Sequence, residues 1–86
     1  MPHAPVRLAE QVTTFVQELR ATELYKAAGL SETLDWVAAL VALDRTELDA
    51  ATIELTLGIL LKNQEDIQAV RGQRVSEMFD RVRAGH

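Results

Sequence analysis

Beyond Pro5 the chain contains no proline, and its apolar residues return every three or four positions almost to the end. Proline is the residue most hostile to a helix interior, and a spacing of three and four is the signature of one helical face. Leu8, Val12, Phe15, Val16 and Leu19 form the first such stripe. Pro5 lies where a helix tolerates proline, at its first turn. The following "ATELYKAAGL" is expected to carry the helix a further turn or two, with Gly29 stopping it as the residue just past the helix end. No segment alternates apolar and polar residues long enough to read as a strand.

Three more helices follow by the same logic. Ser31 is expected to cap the second, with Glu32 in its first turn and Leu34, Val37, Leu40 and Val41 as its buried stripe. Asp49 is expected to cap a third, from Ala50 to about Lys62. Its apolar residues Ile53, Leu55, Leu57, Ile59, Leu60 and Leu61 point in many directions, which places it at the centre. Gly58 in its middle costs about 1 kcal/mol relative to Ala, and close approach of another backbone is the expected compensation. Asn63 is expected to cap a fourth helix with the stripe Ile67, Val70, Val75, Met78, Phe79 and Val82. Gly72 marks a kink or break within it. Trp36 is expected to be at least partly buried, because aromatics contribute large apolar area. The expected fold is all-α: a small antiparallel four-helix bundle formed by residues 1–86 as one domain, with flexible ends at 1–5 and 84–86.

Composition then narrows the function. The 86 residues are 48% hydrophobic and 26% charged, with a formal charge of −4. An acidic chain is a poor partner for nucleic acid or an anionic membrane. A helix-turn-helix reading of the second and third helices also fails on charge, because residues 31–49 hold five acids (Glu32, Asp35, Asp44, Glu47 and Asp49) against Arg45 alone. With no cysteine and no signal-like or membrane-length apolar run, a cytoplasmic location is the default expectation.

Catalytic machinery is not legible. His3 and His86 stand at opposite ends, and no His pair has metal-ligand spacing. Ser31 and Ser76 lack a nearby base, and the glycines Gly29, Gly58, Gly72 and Gly85 are isolated rather than gathered in a phosphate loop. Glu32 and Asp35 share a helical face, as a solvated first turn does. Arg71, Arg74, Arg81 and Arg83 are interleaved with Glu77 and Asp80, a pattern suited to an exposed face with ion pairs. Lys62, Arg71 and Arg74 also suit an intersubunit or phosphate-facing role. The chain alone is not expected to be an enzyme, and no catalytic or metal-binding residue is assigned.

Four motifs in order carry a family resemblance: "SETLDW" at 31–36, "ELD" at 47–49, "TLGILLK" at 56–62 and "EDI" at 65–67. With the preceding "VTTFVQELRATELYK", they resemble the C-terminal region of MoxR-type AAA+ ATPases, in the branch associated with von Willebrand A-domain proteins. The resemblance covers nearly the whole chain. It implies a helical lid that packs over a nucleotide-binding core of the same polypeptide, touches neighbouring ring subunits and relays nucleotide state within a chaperone. ATP and Mg²⁺ would belong to that parent protein, and this chain would hold no cofactor. A von Willebrand A-domain protein is an implied partner, and an excised lid is expected to self-associate. The resemblance places Ser31, Glu32, Thr33 and Asp35 on the face toward the nucleotide core. It departs from related lids at one point: they carry an arginine near Thr33, whereas none of Ser31 to Trp36 is basic. The alternative reading is a free-standing acidic helical module for protein–protein interaction.

Overall fold

A computed structural model describes residues 5–22 and 28–85. It is an all-helical bundle of five helices: α1 (Val6–Ala21), α2 (Leu30–Ala42), α3 (Ala50–Leu60), α4 (Gln64–Val70) and α5 (Gln73–Gly85). α1 packs against α2 and α5, α3 joins α2 to α5, and α4 rests on α5. The expected fourth helix is two. Gly72 takes φ +83°, a left-handed conformation that ends one helix and starts another, so the break at "RGQR" is complete. Glu54 of α3 fastens the corner by accepting the Gly72 N–H at 3.2 Å and pairing with Arg71 at 3.7 Å.

Caps set the other boundaries. Asp49 accepts the Thr52 N–H at 2.7 Å, and Asn63 accepts those of Glu65 and Asp66, so both expected N-caps are present. Gly29 and Ser31 differ from expectation. Gly29 has extended backbone and is itself the N-cap of α2 rather than the stop of α1. The cause is Glu32, whose carboxylate reaches back to the Gly29 N–H at 3.0 Å and moves the helix start two residues upstream of a Ser31 cap. α1 ends at Ala21, where Thr22 turns to extended backbone. The rest of its expected extension, residues 23–27, lies outside the described residues, as do residues 1–4 and 86 of the termini. α3 ends at Leu60, because Leu61 is extended. α2 closes with the left-handed residue Asp44: its N–H bonds Val41 O at 2.9 Å, and that of Arg45 bonds Leu40 O at 3.0 Å.

One core unites the helices. Leu8, Val12, Phe15, Val16 and Leu19 of α1 meet Trp36, Val37 and Leu40 of α2 and Ile53, Leu57 and Leu60 of α3, with Val70, Val75, Met78 and Val82 closing it. Trp36 is fully buried, its ring 5.6 Å from that of Phe15 at a 45° tilt. Its indole N–H donates to Thr56 Oγ1 at 2.7 Å. Gln11, also buried, accepts the Leu48 N–H at 2.7 Å and ties α1 to the α2–α3 connection.

Two expectations about α3 need correction. Leu55 is 75% exposed, so α3 has a wet face, although Ile53, Leu57, Leu60 and Leu61 are buried. Nothing lies within 4 Å of a Cβ built on Gly58, so no backbone approaches it. Its helix cost is uncompensated by packing.

Three outcomes follow in chemical denaturation. Leu57→Ala and Leu60→Ala each lose about 2–5 kcal/mol, the range for cavities in packed cores. Gly58→Ala gains about 0.5–1 kcal/mol, since the helix is relieved of glycine and the added methyl meets open space. Asp49 adds a pH signature. The hydrogen bond from the Thr52 backbone N–H holds its carboxyl below the ordinary value. A depressed folded pKa means stability present above the unfolded value of about 3.9 and lost as pH falls through the folded one. Asp49→Ala therefore destabilises by about 0.5–2 kcal/mol at pH 7, and the gap to wild type narrows below about pH 3.9.

Candidate functional site

The first two turns of α2 and the end of α3 form the candidate site. Short connections set α2 and α3 antiparallel, and the Trp36–Thr56 bond fixes their register. At 1.5 Å per residue, this register brings Ser31, Glu32 and Thr33 to the end of the bundle where Lys62 follows α3. Lys62 and the α2 residues expected to face a nucleotide core thus share one end.

The local chemistry is split between structure and surface. Glu32 is half-buried and engaged with the Gly29 N–H, so its carboxylate serves the helix start. Thr33 donates its hydroxyl to Gly29 O at 2.8 Å and is likewise a local fastener. Ser31 and Asp35 are exposed and point away from the core. They are the two of the four that remain available to a partner.

Leu34 changes the character of this surface. It was expected in the core stripe and is instead 47% exposed; Leu30 beside it is 71% exposed. The reason is helical phase. Trp36, Leu40 and Val37 span the buried arc at about 0°, 40° and 100° around the helix, and a residue two positions before Trp36 falls about 160° from it, beyond that arc. Val41, also expected in the stripe, is only partly buried. Leu30 and Leu34, one helical turn apart, frame Ser31 and Asp35 with apolar area. The clue lay in whether the stripe includes Trp36: a tryptophan buries more area than a leucine and draws the buried arc to its own side, away from Leu34.

Arg71 and Arg74 do not join this site. Arg71 is held at the α4–α5 corner by Glu54, which lies about 9 Å along the α3 axis before the Leu60 end that Lys62 follows. Arg74 is exposed in the first turn of α5 and, like Lys62, forms no ion pair among the described residues. The described residues contain no group of three or more His, Asp or Glu able to hold a metal ion. No described helix is long and apolar enough to cross a membrane. Comparison with protein families, with curated proteins and with solved structures finds no match.

The two environments on α2 separate cleanly by mutation. Leu34→Ser changes stability by no more than about 0.5 kcal/mol, as exposed replacements do. Leu40→Ala, on the buried arc of the same helix, loses about 2–5 kcal/mol. Equal losses at the two positions in urea denaturation would return Leu34 to the core.

Proposed function

We propose that this chain acts as the C-terminal helical lid of a MoxR-type AAA+ ATPase. The observation that carries the reading is the exposed pair Leu30 and Leu34 around Ser31 and Asp35. A small bundle that has already filled its core has no internal use for two leucines on its surface at adjacent turns. A subdomain that packs on a neighbour does. The motif order from "SETLDW" to "EDI" supports the same assignment and names the neighbour: a nucleotide-binding core in the same polypeptide.

In this reading the core binds ATP and Mg²⁺, and the lid supplies a rigid lever. α2 meets the core through Leu30, Leu34 and Asp35, and the Trp36–Thr56–Phe15 cluster transmits the tilt of α2 to the rest of the bundle. Lys62, at the same end, faces the core or an adjoining ring subunit. Direct contact with the terminal phosphate is not assigned to α2, which carries no basic residue there. A von Willebrand A-domain protein is the partner on which the ring acts.

The 86-residue chain by itself does not bind ATP with micromolar affinity, because it has no glycine-rich backbone cradle for phosphates. Calorimetric titration with ATP and Mg²⁺ shows no saturable heat in that range. Tight stoichiometric binding would contradict the lid assignment.

The uncovered face also predicts self-association of the isolated chain. Sedimentation at rising concentration shows a dimer, and Leu34→Glu returns it to monomer by placing a charge at the contact. A wild-type chain that stays monomeric to millimolar concentration would contradict a docking role for Leu30 and Leu34. A phosphate-loop domain encoded in frame upstream of Met1 supports the lid; a complete, separately expressed 86-residue product favours the free-standing acidic module.

A further inference from the structure

A second feature lies away from α2, where the N-terminal half of α1 meets the C-terminal half of α5. Arg7, Glu10, Gln11, Thr14, Val82 and Arg83 line a groove of about 80 Å³. Sites for drug-sized ligands and cofactors hold roughly 300–1,000 Å³, so this one takes only a few heavy atoms.

Gln11 gives the groove its chemistry. The side chain is 7% exposed, and its Oε1 accepts the Leu48 N–H. Only the oxygen of a carboxamide accepts such a bond, so the orientation of the amide is fixed and its NH₂ lies on the other side. That NH₂ has no hydrogen-bond partner among the described residues. Every fully enclosed side-chain nitrogen and oxygen among them does have one, so the Gln11 nitrogen opens to the groove that the residue lines.

The two arginines are lightly committed. Arg83 forms no ion pair among the described residues, and its guanidinium lies 5.8 Å from the centre of the Phe79 ring. Arg7 reaches Glu47 at 3.5 Å, longer than the 2.7–2.9 Å of a strong charge-assisted bond, and both side chains are more than half exposed. The two guanidiniums are balanced by the carboxylates of Glu10 in the lining and Glu47 on Arg7, so the groove carries no net charge, which disfavours a phosphate dianion more than a monoanion. Planar arginine forks also suit a planar carboxylate.

We propose that this groove binds a small carboxylate, held by the guanidiniums of Arg83 and Arg7 and by the Gln11 amide NH₂. The assignment is independent of the lid reading, since none of these residues lies on α2 or α3. The test is an NMR titration of the chain with sodium acetate, with chloride keeping ionic strength constant. Parallel titrations use inorganic phosphate and chloride alone. Acetate shifts the Gln11 side-chain NH₂ signals along a saturating curve, and phosphate binds more weakly. Arg83→Gln weakens acetate binding by at least about tenfold, the loss of one charge-assisted hydrogen bond, while backbone signals away from the groove keep their positions. Gln11 signals that follow chloride equally, or that never saturate, would overturn the site. So would an unchanged affinity in Arg83→Gln. Tighter binding of phosphate would overturn the carboxylate assignment.

Discussion

The burial of Trp36 decides most of this structure. Its ring fills the space between α1 and α3, tilted against Phe15, and its N–H finds the Thr56 hydroxyl. A buried indole without that partner would carry an unsatisfied donor, at about 1–3 kcal/mol. Thr56 is itself anchored, donating to Thr52 O at 2.7 Å in α3. The hydroxyl therefore accepts from one helix while donating within its own, and the register of α2 on α3 is specified by a polar bond inside an apolar core. Leucines alone would fix that register less sharply, because apolar packing is not directional.

Once Trp36 points inward, the outer face of α2 follows from helix geometry. Leu30 and Leu34 must face away from the core, and so must Ser31 and Asp35. The apolar surface at this end is thus the opposite side of a helix whose core side is occupied by a larger residue. An exposed apolar face built this way is coupled to the core: rotating α2 to bury Leu34 would expose Trp36. In the proposed lid, that coupling suits a lever, whose contact surface and body must move together.

Much of this was legible in the sequence, and the exceptions have physical causes. The all-helical class followed from apolar spacing and the absence of proline beyond Pro5, and the caps Asp49 and Asn63 from their side chains. Gly72 was readable as a break because left-handed backbone favours glycine, but the resulting fifth helix was not. Gly29 and Ser31 were misassigned because two capping residues stood two apart, and only the reach of Glu32 chooses between them. Leu34 and Leu55 were misplaced for a shared reason: a helix rich in leucine offers several stripes, and the neighbours decide which one is buried. Gly58 was given a packing role that its open surroundings do not supply. Of the candidate site, the α2 residues were readable as one group and Lys62 with Arg71 and Arg74 as another; the fold instead separates Lys62 from Arg71, which belongs to the α4–α5 corner. The buried glutamine and its groove carried no sequence signal, since Gln11 sits in its stripe as any polar helix residue would.

The rest of the structure turns on the orientation of α2, with its tryptophan inside and Leu34 outside. Trp36 is the only tryptophan of the chain, so its fluorescence reports on this alone. Acrylamide quenching of the native 86-residue chain is the most direct measurement. The expected result is blue-shifted emission with little quenching, rising to that of the free side chain only on unfolding, and the same protection in Leu34→Ser. Native emission and quenching equal to those of the unfolded chain would place Trp36 at the surface and contradict the phase of α2 on which the proposed docking end depends.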